Sequence, residues 1–481
     1  MSSPNQKFVV TPRTGPAKSS AAVRVEGFGE IYADFAPPQG LAQSSRCAQC
    51  GVPFCQSACP LQNNIPDWLR LAAEGRPEEA WRLSEATSTM PEICGRICPQ
   101  DRLCEGACTL EQSGWETVTI GSVERWLGDQ AFENGWVTPI RPLRERGLSV
   151  GIVGAGPAGL AAADRLREAG YAVTVYDRHD RAGGLLMYGI PGFKLEKPVV
   201  QRRLDRLVQG GVEFRLGVDV GGVGETALPF ADLRAAHDAV LIATGVYQAR
   251  RLTAPGCGSN GVVAALDYLI ASNRKGLGDN VPAYEDGTLN AAGRRVVVIG
   301  GGDTAMDCVR TAIRQGALSV TCLYRRDRDN MPGSAREVVN AEEEGVVFEW
   351  LAAPKAILGD AGRVSGVRAA RMALSAPDAN GRWTVEEIAG GEFDLPADLV
   401  IEALGFEPED VAGAFQTPDM ALTEWRTIRT AGRTRATTLE GVFAAGDIVR
   451  GASLVVWAVR DGQDAAVEIE AWLTSRERAA A

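Results

Sequence analysis

The sequence has few aromatic residues (6%), and its only histidines are His179 and His237. Acidic residues outnumber basic ones, and the net charge of −11 at pH 7 is not that of a nucleic-acid-binding protein, which normally presents a basic face. No apolar run approaches the roughly 18 residues that span a bilayer. The first thirty residues contain no apolar block of signal-peptide length. We therefore expect a cytoplasmic protein that binds neither nucleic acid nor membranes.

Cysteine is scarce beyond residue 108, where only Cys257, Cys308 and Cys322 occur. The other eight cysteines form two groups, "RCAQCGVPFCQSACP" from residue 46 and "EICGRICPQDRLCEGAC" from residue 92. Cytoplasmic thiols stay reduced, so clustered cysteines there bind metals more often than they form disulfides. Structural zinc and iron–sulfur clusters are the two alternatives for these groups.

The 481 residues are too many for one hydrophobic core and indicate two to four domains. Residues 1–146 hold the clustered cysteines and contain amphipathic helical segments such as "IPDWLRLAAEG", without a strand pattern. From residue 147, apolar strands, glycine turns and alanine-rich helices alternate, as in α/β folds. A strand–turn–helix–strand unit that begins at Leu148 is repeated from Arg294. The repeat predicts two Rossmann-like nucleotide-binding domains.

The second unit is predicted to be an insertion into the first domain. The segment "GVFAAGD" near the C-terminus has the pattern of a strand and a glycine turn but lacks a complete glycine-rich dinucleotide-binding motif of its own. We therefore expect it to complete an earlier domain. The expected boundaries are an α-helical domain over 1–146, a first nucleotide-binding domain over 147–250 plus 433–481, and an inserted one over 251–432.

The first dinucleotide fingerprint runs from Gly154 to Gly159, after an apolar strand and at the start of a helix. Gly154 allows the tight turn, Gly156 lets the backbone approach a pyrophosphate, and Gly159 lets the helix pack closely on the strand. The pyrophosphate would lie at the positive end of the helix. Asp177 ends the next strand, where its carboxylate can accept hydrogen bonds from ribose hydroxyls. The fingerprint alone does not distinguish FAD from NAD.

The second fingerprint, Gly300 to Ala305, comes after the strand "RRVVVI" and begins another helix. Its third glycine is replaced by Ala305, which still fits close to a strand. Where the first unit ends its second strand with an acid, this one has Arg325 and Arg326. Their guanidinium groups can bind a 2′-phosphate, so the second site is predicted to bind NADPH. The predicted residues are Gly300, Gly301, Gly302, Asp303, Thr304, Ala305, Arg325 and Arg326.

Three further segments, "RAGGLLMYGIP", "AVLIATG" and "GVFAAGD", resemble the glutathione-reductase-like flavoproteins. The resemblance implies that the first site binds FAD and that Asp447 contacts the ribityl chain. The predicted FAD residues are Gly154, Ala155, Gly156, Pro157, Ala158, Gly159, Asp177, Arg178, Gly184, Leu185, Thr244, Gly245, Gly446 and Asp447. Hydride transfer between a stacked nicotinamide and a flavin needs no side-chain acid or base, so no catalytic residue is predicted.

The cysteine spacings are C-x2-C-x4-C-x3-C-P and C-x3-C-P-x4-C-x3-C, which differ from the two separated Cys-x2-Cys pairs of zinc ribbons. Both contain the Cys-Pro of two-cluster ferredoxins, in which one cysteine crosses to the other cluster. Two [4Fe–4S] clusters are therefore favoured over zinc, and they also suit an NADPH–FAD protein, which must pass electrons on singly. The predicted ligands are Cys47, Cys50, Cys55 and Cys108 for the first cluster, and Cys59, Cys98, Cys104 and Cys94 for the second.

The whole chain, and "PEICGRICPQDRLCEGACTL" and "TIGSVERW" in particular, resembles the small (β) subunits of bacterial NADPH-dependent glutamate synthases. The same module occurs in dihydropyrimidine dehydrogenase and in ferredoxin–NADP transhydrogenase subunits. In these relatives a Gln or Glu binds the second cluster at the position of Glu124, so the fourth ligand is Cys94 or Glu124.

The resemblance also implies an electron-input function. NADPH would reduce FAD, and the clusters would relay electrons to an FMN-bearing large (α) subunit, where glutamine-derived ammonia and 2-oxoglutarate become glutamate. One alternative is the same reductase module with a pyrimidine-reducing or ferredoxin-linked partner. The other is a zinc-stabilised assembly subunit that binds nucleotide only for structure.

Overall fold

The computed structural model describes residues 4–360, 362–378, 383–431 and 434–480. Up to residue 146 the described chain is helical, and its only β pairing is an isolated bridge between Lys18 and Tyr32. The α-helices of this part are Ala21–Arg24, Pro37–Ser44, Phe54–Ala58, Ile65–Ala73, Pro77–Glu85, Pro91–Ile97, Thr109–Gln112 and Ile120–Glu133. Short 3-10 helices cover Pro4–Val9 and Gln100–Arg102.

Sequence periodicity explains how these helices pack. Helix Ile65–Ala73 has a proline in its first turn, where the missing N–H costs no hydrogen bond. Its apolar face buries Trp68 and Leu69 in the same hydrophobic core as Val123 and Trp126 of helix Ile120–Glu133, the longest in this domain. The predicted α-helical domain is therefore confirmed, with a core built largely from tryptophan and aliphatic side chains.

The first nucleotide-binding domain contains a parallel sheet with helices on its faces. Its strands in spatial order are Val442–Ala444, Ala239–Ile242, Ser149–Val153, Ala172–Asp177 and Glu213–Leu216. The helices of this domain are Pro157–Glu168, Leu185–Tyr188, Lys197–Gln209, Phe230–Ala236, Asp447–Arg450 and Val455–Ala480. A small parallel pair, Asp219–Val220 and Ala227–Leu228, lies beside the sheet. The segment "GVFAAGD" thus supplies the edge strand Val442–Ala444, as predicted.

The second nucleotide-binding domain repeats this arrangement. Its parallel strands in spatial order are Val347–Trp350, Ser319–Tyr324, Arg295–Ile299, Leu399–Glu402 and Val262–Ala264. The accompanying helices are Ala265–Gly276, Pro282–Glu285, Asp303–Arg314 and Ala335–Glu343. An antiparallel sheet of Ala352–Asp360, Arg363–Pro377 and Trp383–Pro396, which was not predicted from the sequence, packs on one face.

The chain passes between the two nucleotide domains twice, through the antiparallel pair Gln248–Ala249 and Phe406–Glu407. After the second passage, helix Val411–Ala414 and residues up to Ile428 pack into the core of the first domain, where Phe415 stacks on Phe230. The chain therefore re-enters the first domain before the predicted residue 433. The difference arises because these residues carry no fingerprint and are fixed only by long-range packing.

The helical domain rests on the first nucleotide domain through a buried ion pair. Nη2 of Arg203 lies 2.7 Å from Oε2 of Glu92, and both side chains are almost inaccessible to solvent. Leu61 and Ile93 share a hydrophobic core with residues of the first sheet, such as Ile152. Within the described ranges, no helix is both long enough and apolar enough to cross a bilayer.

Candidate functional site: two nucleotide sites and a cysteine-rich domain

The first fingerprint has the geometry of a dinucleotide turn. Gly154 has φ +110°, and a Cβ there would lie 2.3 Å from the carbonyl oxygen of Ala243. A Cβ on Gly159 would lie 2.0 Å from the oxygen of Gly154, so helix and strand are in direct contact. By contrast, a Cβ on Gly156 would meet nothing within 4 Å. The open space over Gly156, at the start of helix Pro157–Glu168, suits a pyrophosphate.

Other predicted FAD residues gather around this turn. A Cβ on Gly184 would lie 2.8 Å from Cα of Gly156, and one on Gly446 would lie 2.9 Å from Cβ of Ala158. The glycine turns of three distant segments thus meet at one end of the sheet. No described residue gives the buried hydroxyl of Thr244 a hydrogen-bond partner, so that group is available to a ligand.

Asp177 is held as an anion beside the turn. Its Oδ2 accepts a hydrogen bond from the Ala155 amide at 2.7 Å, and its Oδ1 accepts one from the His179 amide at 2.8 Å. Burial acts to raise the pKa of Asp177, but the hydrogen bonds from His179 and Ala155 outweigh it and lower the pKa. A cavity of about 260 Å³ lies beyond this carboxylate, lined also by Arg178 and Tyr247. It has room for part of a nucleotide near the expected ribose position.

The second fingerprint has the same turn. Gly300 has φ +145°, and a Cβ on it would lie 2.3 Å from the carbonyl oxygen of Ala403. Gly302 precedes helix Asp303–Arg314 and, like its counterpart Gly156, faces open space. The turn opens into a cleft of about 980 Å³. The predicted residues that line the cleft are Gly300, Gly301, Gly302, Asp303, Thr304, Arg325 and Arg326. Ala305 does not line it and is buried in the core behind it.

The cleft also connects the two nucleotide domains. Leu185 and Asp447, both predicted to contact FAD, line the cleft together with Arg325 of the other domain. Burial raises the pKa of Asp447 to about 6. A nicotinamide at one end of the cleft and a flavin at the other would therefore approach each other in one continuous space.

The arginine pair is arranged asymmetrically. Arg325 is exposed and lines the cleft, whereas Arg326 is partly buried and donates from Nε to the carbonyl oxygen of Trp383 at 2.7 Å. Nη1 of Arg326 also lies 3.5 Å from the Tyr324 hydroxyl. Arg326 is thus oriented by the antiparallel sheet, and Arg325 is free to turn toward a phosphate.

The first group of thiols and Cys108 lie close together in the helical domain. Burial, and after it the charges of Cys47, Cys108 and Cys50, raise the pKa of Cys55 to about 12. Burial, and after it the charges of Cys108 and Cys50, raise the pKa of Cys47 to about 11. Such mutual effects place Cys108, from the second sequence group, near the thiols of the first. Its assignment to the first cluster stays a prediction.

Cys59, Cys98, Cys104 and Glu124 form a second group of neighbouring side chains. The pKa of Cys104 is raised first by burial and then by charges that include Cys59 and Glu124. The pKa of Cys98 is raised by a hydrogen bond to Cys94, by burial, and by the charges of Cys94, Glu124 and Cys104. Both Cys94 and Glu124 thus lie within reach of this group.

Glu124 has a distinct environment. Its Oε1 accepts hydrogen bonds from Nδ2 of Asn63 at 3.0 Å and from the Ser84 hydroxyl at 3.5 Å. Burial, with a smaller effect from Glu92, raises the pKa of Glu124 to about 8. A nearby metal charge would reverse that effect and favour the carboxylate.

Among the described residues, no three His, Cys, Asp or Glu side chains converge on a point where they could hold one metal ion. Ligands of a four-iron cluster each bind a different iron and surround a volume instead of meeting at one point. Each of the two groups brings several soft thiolate ligands close together, so their chemistry fits iron–sulfur clusters.

Comparisons with known proteins agree with this arrangement. Residues 24–136 match the family described as dihydropyrimidine dehydrogenase domain II, 4Fe-4S cluster, and residues 148–462 match pyridine nucleotide-disulphide oxidoreductase. The glutamate synthase [NADPH] small chain of Azospirillum brasilense is 61% identical over 98% of this chain and 97% of its own length. The chain belongs to the family of glutamate synthase [NADPH] small chains. The Escherichia coli K12 member is 46% identical over 97% of this chain and 98% of its own.

Members of this family are NADPH-dependent oxidoreductases. The matched regions support binding of an iron–sulfur cofactor, FAD and NADPH. Among solved structures, Mycobacterium tuberculosis FprA in complex with NADPH has a TM-score of 0.58 at 22% identity, covering 71% of this chain and 86% of that one. This likeness concerns the fold of the two nucleotide domains. The predicted fold class and oxidoreductase activity are therefore confirmed.

Sequence reasoning missed several residues that line the two spaces. Tyr247 and Glu409 border the cavity beside Asp177, and Trp457 and Arg102 border the cleft. The chain brings them together from segments without a recognisable fingerprint. The one feature of the sequence that could have indicated a role for Arg102 is its position between two cysteines of the second group.

Proposed function

We propose that this chain is the electron-input subunit of a glutamate synthase. The observation that carries the proposal is the order of the two thiol groups. Cys59 and Cys98 pack against the core of the first nucleotide domain, whereas Cys50 lies in the helical domain beside exposed side chains. Transfer of single electrons from FAD to the protein surface needs one carrier near FAD and another near the surface, and the two thiol groups are placed in that order.

Each cofactor has a proposed set of residues. When bound, FAD would accept a hydride from NADPH, and iron–sulfur clusters would carry the electrons onward one at a time. Gly156, Asp177 and Thr244 would hold FAD, and Gly302 and Arg325 would hold NADPH. The proposed complement is one FAD and two [4Fe–4S] clusters, in a reducing cytoplasm that keeps the thiols available to iron.

For the fourth ligand of the second cluster we favour Glu124 over Cys94. Cys94 is buried, and its Sγ accepts a hydrogen bond from the Ser88 hydroxyl at 3.9 Å. Asn63 and Ser84 donate to Oε1 of Glu124 and so orient the carboxylate, which leaves Oε2 to an iron. Cys59, Cys98, Cys104 and Glu124 then form the second set.

We propose that electrons leave this chain for its partner near the first cluster. Val52 and Phe54, between Cys50 and Cys55, are 62% and 51% exposed. Large apolar side chains exposed together are typical of protein–protein contact surfaces. We assign this surface to the large (α) subunit, whose FMN would receive the electrons and whose active site would make glutamate.

The test is to assay the purified chain with and without the large subunit under anaerobic conditions. Alone, it should oxidise NADPH with an artificial acceptor and form no glutamate from glutamine and 2-oxoglutarate. Addition of the large subunit should start glutamate formation. Glutamate made by the isolated chain, or no glutamate from the assembled pair, would contradict the proposal; the second result would favour another acceptor protein.

A further inference from the structure

The loop between Cys98 and Cys104 reaches the second nucleotide domain. Its 3-10 turn Gln100–Arg102 presents Arg102 toward the start of helix Asp303–Arg314. Nη2 of Arg102 lies 3.4 Å from Oδ2 of Asp303. An arginine of the cysteine-rich domain thus stands at the helix end where a second-site pyrophosphate would bind.

The neighbouring residue Asp101 fixes this loop independently of Arg102. Its Oδ1 accepts a hydrogen bond from the Ser334 hydroxyl and its Oδ2 accepts one from the Ala335 amide, both at 3.3 Å. The Ser334 amide in turn donates to Oδ1 of Asp303 at 2.9 Å. A carboxylate at the start of helix Ala335–Glu343 is favoured by the helix dipole. The loop is therefore held against the inserted domain even when Arg102 changes partner.

Arg102 is able to change partner. Its side chain is 41% exposed and that of Asp303 is 34% exposed, so their ion pair contributes little to stability. Arg102 lines the 980 Å³ cleft together with Gly301, Gly302 and Thr304. A pyrophosphate over Gly302 would offer the guanidinium two or more anionic oxygens, and arginine binds phosphates with paired hydrogen bonds.

We propose that Arg102 belongs to the NADPH site and donates hydrogen bonds to the nucleotide pyrophosphate. The proposal rests on the proposed assignment of the second fingerprint to NADPH. One wall of the nucleotide site is then the loop that joins Cys98 to Cys104. The same loop contributes Arg102 to the nucleotide site and connects two ligands of the second cluster. Binding of the nucleotide should therefore stabilise the loop around the cluster, and the cluster should stabilise the nucleotide site.

The test measures nucleotide affinity without turnover. Dissociation constants of NADP⁺ and NAD⁺ are obtained from the change in flavin absorption of the full chain, for wild type, Arg102→Ala and Arg102→Lys. Loss of a charge-assisted contact should weaken both nucleotides by about tenfold or more, and by the same factor, since both contain the pyrophosphate. Arg102→Lys should lose less. KM for NADPH should rise while kcat with an artificial acceptor stays nearly constant.

Arg82→Ala is the matched control, because Arg82 is an exposed arginine of the same domain that pairs with Glu78 and does not line the cleft. Unchanged affinities in Arg102→Ala would leave Arg102 as an interdomain ion pair only and overturn the inference. Weakened NADP⁺ with unchanged NAD⁺ would also overturn it, since that pattern belongs to a 2′-phosphate contact. Failure of the wild type to bind either nucleotide would instead refute the proposed function.

Discussion

At the scale of single residues, cofactor choice depends on the charge at the end of each second strand. Asp177 is fixed as an anion by two backbone amides, which suits ribose hydroxyls and repels a 2′-phosphate. The corresponding strand of the second unit ends at Tyr324, and Arg325 and Arg326, which follow it, line the cleft. The acid at the end of one strand and the arginines after the other would allow one chain to hold two different dinucleotides.

Changing Arg325 and Arg326 together to glutamine should therefore reduce the preference for NADPH over NADH. Each charge-assisted contact is worth about 1.5–3 kcal/mol, so the ratio of kcat/KM values should fall at least about tenfold. The effect should come from KM for NADPH, with NADH scarcely changed. Steady-state kinetics with an artificial acceptor measures both.

Arg328→Gln is the control for that experiment, because Arg328 lies in the same loop but pairs with Glu342 at 2.8 Å and does not line the cleft. It should leave the preference unchanged. A double variant that kept the wild-type preference would show that the 2′-phosphate binds elsewhere.

At the scale of elements, helix Lys197–Gln209 of the first nucleotide domain contacts the helical domain. Arg203 on that helix pairs with Glu92 through two hydrogen bonds of 2.9 and 2.7 Å and also contacts Glu85 at 2.9 Å. Removing one partner of a buried pair leaves the other charge without compensation, whereas replacing both by apolar groups is often nearly neutral.

Arg203→Leu should therefore loosen the helical domain by about 3–5 kcal/mol. Limited trypsin digestion reports on this, because Arg144 lies exposed in the connection between the domains. The single variant should be cleaved there faster than wild type, and Arg203→Leu with Glu92→Leu should recover much of the resistance. Equal cleavage of all three proteins would mean that the ion pair does not hold the domains together.

The sequence was sufficient for elements whose chemistry is local. Gly154 and Gly300 are required by turns that the fingerprint itself defines, and the strands around them were predicted with them. The antiparallel sheet over Ala352–Pro396 and the early return at Val411 were not predicted, because their positions depend on packing between distant segments. The same holds for Arg102 and Tyr247 in the site. The distribution of the thiols over two clusters, which was derived from crossover of one cysteine in the spacing, stays a prediction.

At the scale of the whole molecule, the proposed function makes the three domains successive electron carriers. The cleft connects the two nucleotide domains, Cys59 and Cys98 adjoin the first nucleotide domain, and the apolar residues Val52 and Phe54 are exposed beside the other thiol group. Removal of the first cluster should stop only the transfer of electrons from the second cluster to the large subunit. The second nucleotide domain and one core of the first contain no residue of the helical domain, so a variant without the first cluster should keep FAD and NADPH oxidation.

The most direct test of this account is NADPH-driven glutamate synthesis by Cys50→Ala, assembled anaerobically with the large subunit. Cys257→Ala is the control, since Cys257 lies far along the chain from both thiol groups. We expect Cys50→Ala to lose the first cluster's iron and all glutamate synthesis, while it keeps FAD and NADPH oxidation with an artificial acceptor. Glutamate synthesis at the wild-type rate by a variant without that iron would contradict the account, because the thiols would then lie off the electron path.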